Sequence, residues 1–356
     1  MAEKRWSARS SAAALEAAGA IAIAVFAVGS GAAAGVTPQL AIITAASNQN
    51  AFQEMAEGAA AAAAQFRDHL LSSAPPQVDA PLEVAEFEAA EPLARNGIAA
   101  MTAEPPVFKV PFAAAERAGV PVVAVSSAAS AGSDVPTLVA NDNVALGEMM
   151  AEQLIKKIPA TEKGTVVVGD DVPQLALLGL RIQGMLDVLH RERPRLAETP
   201  SIYVTSDPTT NLASWQSLVN KYPHAVAYIG PGDQDAVSMF TISRENHRHY
   251  LVGATDVDPQ ALKAVLEGYV DVLGDPENYL KGYIAIWILD QHARGHKLIT
   301  GWWDPGQGVI TQSNVKQIID REQSNATRFA YYKATIAKEL ADPATYIKPM
   351  ARAGGN

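Results

Sequence analysis

The sequence predicts an α/β protein made of two similar doubly wound parallel-sheet lobes. Three observations predict it. From Gln39 onward, short apolar runs alternate with amphipathic helical stretches. That rhythm runs through once, then starts again near Ala140. The apolar runs close on amides, hydroxyls or carboxylates, with a helix following, as in sheets whose strands share one direction and whose helices cover both faces.

LAIITA is the first strand, and NQNAFQEMAEGAAAAAAQF the first helix, with Phe52, Met55, Ala59, Ala62 and Phe66 on one face. The alanine tract Ala59 to Ala64 suits a close helix-to-sheet contact. LEVAEFEA is assigned as the second strand, NGIAAMTA as the third, FKVPFAAAERAG as a helix and VPVVAVSS as the fourth strand. The second array opens with the helix ANDNVALGEMMAEQLIKK, capped by Asp142 or Asn143. It continues through TVVVGD, the helix around LRIQGMLDVLHRE, SIYVTSD, NLASWQSLVNKY, AVAYIGP, DAVSMFTISRE and YLVGAT.

Ahead of both arrays stands a secretory signature over residues 1–34. Lys4, Arg5 and Arg9 precede an apolar run from Ala17 to Val28, which ends in small residues at Ala32 to Ala34. About 12 apolar residues are too few to cross a bilayer core that needs ~20. The chain contains no cysteine, so it has no disulfide and no lipidated cysteine after the leader. An exported protein that lacks a lipid anchor is expected free in a periplasm. Of 28 basic and 38 acidic residues the leader takes three and two, so the remainder carries 25 against 36, or −11. An acidic chain without basic runs argues against nucleic acid as a partner.

In open parallel sheets, ligands bind beyond the carboxyl ends of the strands. The residues there are Ser47, Asn48, Gln49 and Asn50, then Thr102 and Glu104, then Ser126 and Ser127. In the second array they are Asp170 and Asp171, then Pro231, Gly232, Asp233 and Gln234, then Thr255 and Asp256. Each could be a helix cap or turn former. As a set they suit a neutral polyhydroxyl ligand, whose adjacent hydroxyls pair with amides and carboxylates. Phe52 could add a stacking face or serve as core.

Catalytic motifs are poor by comparison. There is no G-x-S-x-G, no H-E-x-x-H, no P-loop, and no G-x-G-x-x-G after the leader. His292 and His296 are spaced to share a metal but have no third ligand nearby, and read as a solvated helix end. The carboxylates Asp170 and Asp171 have no activating base or nucleophile beside them. No enzyme, cofactor or metal is expected.

The stretch from about Gln39 to Ile319 resembles the periplasmic sugar-binding proteins of ABC importers, of the ribose-binding type. Five segments carry the resemblance: SNQNAFQEMAEGAAAAA, NGIAAMTAEPPVFKVPFAAAERAGVPVVAV, VANDNVALGEMMAEQL, LRIQGM and YLVGATDVDPQALKAVLEGYVDVLGDPENYLKGYIA. The resemblance implies two lobes joined by a three-segment hinge, with crossings near Asn141 to Asn143, Leu273 to Asp275 and Gln307 to Thr311. It divides the chain into a first lobe of 38–141 plus 275–309, a second of 142–274 plus 310–340, and a tail of 341–356. It also implies that Arg181 donates to a sugar and that Asn48, Gln49 and Phe52 contact it from the first loop. Ser126 and Ser127, or Ser127 and Ala128, stand where the family has an Asp-Arg pair. Asp233 keeps the acid of its loop, Thr255 or Asp256 the next, and Asp275 and Glu277 are the nearest polar groups at the second crossing. Smaller and less charged groups than the family's put ribose in doubt and suggest a different or larger ligand, or one less densely hydroxylated. The implied partners are a small carbohydrate, a membrane permease and its ATPase, with the protein a monomer. The competing readings are a sugar or autoinducer-2 receptor for a chemoreceptor or sensor kinase, and a periplasmic enzyme. The tryptophans Trp302 and Trp303 are expected to pack an extended loop against a lobe.

Overall fold

The computed structural model describes residues 37–353, and the leader assigned above lies outside them. The first array gives β1 (Gln39–Ile43), α1 (Asn50–Phe66), β2 (His69–Ser73), α2 (Ala80–Ala90), β3 (Gly97–Ala100), α3 (Lys109–Arg117), β4 (Val122–Val125) and β5 (Thr137–Val139). The second gives α4 (Asn143–Leu154), β6 (Gly164–Asp170), α5 (Ala176–Glu192), β7 (Leu196–Glu198), β8 (Ile202–Tyr203), α6 (Pro208–Lys221), β9 (Ala227–Ile229), α7 (Asp233–Glu245), β10 (Val252–Thr255), α8 (Pro259–Glu267) and β11 (Val272–Asp275). After these come α9 (Asn278–Ala293), β12 (Gly301–Trp303), β13 (Gly308–Ile310), α10 (Val315–Arg321), α11 (Asn325–Ala341) and β14 (Ile347–Lys348).

Two sheets result. The first runs β14-β12-β5-β4-β3-β1-β2 and the second β13-β11-β10-β9-β6-β7, with β8 also on β6. Within each, the central order is the same: the second strand of the array lies outside the first, and the third lies on the first strand's other side. All pairs are parallel except β12 with β14 and β11 with β13, at the edges. The order reverses direction between β1 and β3 and between β6 and β9, the switch points beside which open α/β sheets bind ligands. The chain passes from the first sheet to the second after β5, back after β11, over again between β12 and β13, and back once more between β13 and β14.

The helices that follow the first two passages, α4 and α9, both dock by glycine. On α9, a Cβ added to Gly282 would lie 1.9 Å from the Met55 carbonyl oxygen, and on α1 one added to Gly58 would lie 1.9 Å from that of Tyr279. On α4, a Cβ at Gly147 would lie 2.1 Å from the Arg181 carbonyl oxygen, and on α5 one at Gly184 would lie 2.0 Å from that of Val144. No side chain fits at any of the four, so each pair of helices crosses backbone to backbone. The alanine tract follows the α1 glycine, and the close approach it was expected to permit is made by the glycine, to a helix.

Three expectations need correction. LEVAEFEA is helical and lies within α2. Asp79 caps this helix by accepting from Leu82 N at 3.0 Å, Pro81 sits in its first turn, and Glu83, Phe87 and Ala90 are buried at helical spacing. The second strand is instead HLLSS, a partly exposed edge. Residues 310–340 do not all stay with the second sheet, and of the 341–356 tail the described part, to residue 353, is fastened to the first. Tyr332 and Ile336 of α11 enter the core built on β1, α1 and α9, and β14 pairs with β12. Trp303 is buried in that same core, stacked on Tyr346 with centroids 6.0 Å apart and donating from Nε1 to Glu339 at 3.0 Å. Trp302 donates to the Ala140 carbonyl at 2.6 Å and packs with Met350 and Ala353, so both tryptophans fasten the C-terminal segment down.

Candidate ligand-binding cleft

The carboxyl ends of both sheets open on one cavity. From the first lobe it is lined by Gln49, Phe52 and Met55 around the start of α1, by Met101 and Ala103 after β3, by Ser126 after β4, and by Asn278 and Lys281 in the first turn of α9. From the second lobe come Asp171, Val172 and Leu175 after β6, Leu177, Leu178 and Arg181 on α5, Gly232 and Asp233 at the start of α7, and Asp256 after β10. Parallel strands all point their carboxyl ends the same way, which is why residues so far apart in sequence converge.

Arg181 organises the polar side. Its Nε donates to Asn143 Oδ1 at 2.9 Å, and its Nη1 to the Pro231 carbonyl at 2.9 Å and Thr255 Oγ1 at 3.0 Å. Asp256 Oδ2 lies 3.6 Å from Nη1. The Asp256 carboxylate also accepts from Asn278 Nδ2 at 3.0 Å, a bond between the lobes. Lys281 Nζ donates to Asn141 Oδ1 at 3.3 Å, and Asn141 donates to Asn143 Oδ1 at 3.2 Å. Hydrogen bonds thus run continuously from Lys281 to Arg181 through two asparagines at the first crossing. A buried network of this kind holds its members in fixed rotamers.

Three buried polar atoms at the cavity have no protein partner among the described residues: Ser126 Oγ, Asp171 Oδ1 and Asp233 Oδ1. An unpaired buried acceptor costs about 1–3 kcal/mol, which a donor supplied from outside would recover. Burial, then the Asp235 charge, raises the Asp171 carboxyl well above the usual range. Burial and then Asp256 do the same to Asp233, against the pull of the Asn50 backbone N–H. Burial followed by the Arg181 charge brings Lys281 down to about 7, with Asp256 opposing. Arg181 is lowered by burial and held up by Asp256.

Backbone strain gathers at the same place. Ser126 (φ 60°), Asp256 (φ 70°) and Glu277 (φ 58°) are non-glycine residues in the left-handed region, each just past a strand end. Such conformations cost on the order of 1 kcal/mol each and persist where surroundings over-determine them.

Of the residues singled out from sequence, Gln49, Phe52, Ser126, Arg181, Asp233 and Asp256 line the cavity. Four do not. Asn48 is exposed on the loop outside it. Ser127 is buried beside the lining without joining it. Thr255 stands behind Arg181, accepting from it and donating to the Pro231 carbonyl. Asp275 is taken up by Arg321, whose Nη1 donates to it at 2.7 Å. The sequence reading missed Asn278 and Lys281, and set Asp171 aside. Lys281 is the single charge between Glu277 and Asp290, in a helix buried along its length from Asn278 to Asp290, so its ammonium must be met by something. Asn143 and Asn278 both open helices with N-x-x-x-G, a repeat in the sequence that marks the two crossing helices.

Residues 40–297 match the family model described as periplasmic binding protein domain. No curated protein matches the chain. Among solved structures, a carbohydrate transporter solute-binding protein from Agrobacterium radiobacter in complex with D-arabinose is 21% identical with a TM-score of 0.73, covering 80% of this chain and 97% of that one. A solute-binding protein from Agrobacterium vitis bound to α-D-tagatopyranose is 20% identical with a TM-score of 0.72, over 78% and 96%. A glucose-galactose binding protein from Geobacillus stearothermophilus is 17% identical with a TM-score of 0.71, over 79% and 99%. The paired sheets, the repeated passages between them and the match over residues 40–297 make the chain a member of the periplasmic binding protein domain family, with the type 1 fold, and a binding protein rather than an enzyme.

Proposed function

We propose that this protein captures a small carbohydrate, a pentose, hexose or polyol, between its lobes and delivers it to the permease of an ABC importer. The observation that carries this reading is the pair of unpartnered carboxylate oxygens, Asp171 Oδ1 and Asp233 Oδ1, in a cavity that both lobes line. Sugar hydroxyls donate to such carboxylates, while their oxygens accept from Arg181 and Lys281. One neutral ligand thus serves both kinds of group. The relatives that bind D-arabinose and α-D-tagatopyranose support a monosaccharide-sized ligand.

Capture works by hinge closure. A ligand touching both lobes favours the arrangement in which they meet, by the free energy of contacts that the open arrangement lacks. Asn278 to Asp256 is one contact between the lobes in the arrangement described. Export by residues 1–34, release without a lipid anchor, action as a periplasmic monomer, and docking of the closed form on a permease with its ATPase complete the proposal.

Thermal denaturation against a panel of pentoses, hexoses and polyols tests it. A ligand that binds only the folded state raises the melting temperature by mass action, about 2.7 kcal/mol of stability at 100 times Kd. A clear rise with one neutral carbohydrate is expected; no shift across the panel overturns the carbohydrate reading.

A further inference from the structure

The cavity is not polar all round. Phe52, Met55, Met101, Leu175, Leu177 and Leu178 line it together, and all six belong to one packed apolar cluster continuous with the first lobe's core. Val78 and Val172, also at the cavity, pack against the same cluster. The wall is built from both lobes: the first three residues come from α1 and the end of β3, and the leucines from the second-lobe segment VPQLALL. Phe52 is the single aromatic ring among the lining residues. The remainder are aliphatic or thioether chains, which offer neither a flat face for a sugar ring nor any hydrogen-bonding group.

The polar groups are gathered elsewhere. Arg181 and Lys281 are joined through Asn143 and Asn141, Asp256 pairs with Arg181 and accepts from Asn278, and Gly232 and Asp233 follow the same strand-end row. A hydroxyl turned to this side finds donors and acceptors. One turned to the leucines finds none, and would enter a closed cleft unpaired.

Resting on the carbohydrate reading above, we infer that the cleft selects a sugar or polyol with one apolar edge, the methyl of a deoxysugar or a small alkyl or aryl aglycone. That edge sits against Phe52, Met55, Met101 and the three leucines. The hydroxylated edge faces Asp171, Asp233, Asp256, Arg181 and Lys281. The two unpartnered carboxylate oxygens take donors from neighbouring hydroxyls, and the aliphatic wall takes the part of the ligand that has none to give.

Titration calorimetry of the protein with matched pairs tests this: L-galactose with L-fucose, L-mannose with L-rhamnose, and D-glucose and D-galactose each with their methyl and phenyl glycosides. In at least one pair the apolar member is expected to bind at least ~10-fold more tightly than its hydroxylated parent, the scale on which a pocket discriminates one group of this size. Leu177→Asn should shrink that ratio to roughly 3-fold or less, by giving the parent's hydroxyl a partner. The comparison within each pair uses the unaltered protein, so it stands even if the variant folds poorly. If a parent sugar binds and its apolar counterpart is equal or weaker in every pair, the inference is overturned and the carbohydrate reading survives. If no member of any pair binds, the inference is overturned, and the carbohydrate reading is decided by the thermal panel of pentoses, hexoses and polyols.

Discussion

The two lobes are built alike and furnished differently. In each, the helix that enters after a passage from the other lobe starts with an asparagine and carries a glycine four residues later, Asn143 and Gly147 in one and Asn278 and Gly282 in the other. Each such glycine lies against the backbone of the helix that follows the receiving lobe's first strand, whose own glycine, Gly184 or Gly58, returns the contact. Aligned on those contacts, Arg181 of the second lobe corresponds to Met55 of the first, Leu178 to Phe52, and Leu146 to Lys281. The second lobe therefore places its cation on the receiving helix, and the first lobe on the entering one. Backbone geometry repeats because close helix crossing permits only glycine there. The side chains facing the cleft do not repeat, because no such backbone contact constrains them. The first lobe's contribution is largely apolar, with Ser126, Gln49 and the start of α9 as exceptions; the second lobe supplies three carboxylates and Arg181.

The largest effect should come from breaking what is shared. Gly58→Ala and Gly184→Ala each force a Cβ to about 2 Å from a carbonyl oxygen, and each should cost about 3 kcal/mol in denaturant unfolding. Equal losses are expected from the two lobes; a tolerated alanine in either would break the equivalence.

Buried acids distinguish the lobes next. In the second, Asp235 accepts from Trp215 Nε1 at 2.7 Å, Asn211 Nδ2 at 2.9 Å and Gly232 N at 3.0 Å. In the first, Glu83 has only Thr102 Oγ1, at 3.4 Å, and its Oε1 has no partner among the described residues. Burial pushes the Glu83 carboxyl from 4.5 up to about 8. Between those values the folded state holds a proton that the unfolded chain releases. The stability contribution of this group is complete below pH 4.5 and is lost as pH rises through about 8. Glu83→Gln should leave stability at pH 4 nearly unchanged and raise it by about 2 kcal/mol at pH 9, read from unfolding curves at the two values.

Arg181→Met places the first lobe's residue at the equivalent site of the second. It removes donors to Asn143, Pro231 and Thr255 and leaves Asp256 without its cation, so carbohydrate affinity should fall at least ~10-fold in calorimetry. Asn48→Ala should do least, with affinity within about 2-fold of the unaltered protein, since that side chain is exposed outside the cleft.

Most of the fold could be read from the sequence because buried parallel strands are written as unbroken apolar runs, such as TVVVGD and VPVVAVSS. HLLSS escaped because an edge strand needs no such run, and LEVAEFEA misled because its apolar residues also suit a helix that buries only part of its surface. The position of α11 was not legible, since an amphipathic helix states that it packs without stating on what. At the cleft, strand-end position was enough to point to Gln49, Ser126, Asp233 and Asp256. Lys281 lay hidden because it sits a turn into a helix, and Asn278 because Asp275 and Glu277 come before it after the same strand. The leucine wall lay hidden because VPQLALL reads as ordinary core.

The central claim is that a ligand is captured between the lobes, and a distance across the cleft tests it most directly. The chain has no cysteine, so Val110→Cys on α3 and Tyr203→Cys on β8, at positions 72% and 64% exposed, would carry the only two nitroxide labels. Pulsed electron spin resonance then gives the distance distribution with and without the tightest-binding sugar of the panel. The account predicts a broader distribution reaching longer distances in the free protein, which collapses to one shorter, narrow distance with sugar. The same distribution in both conditions, at saturating sugar, would contradict it.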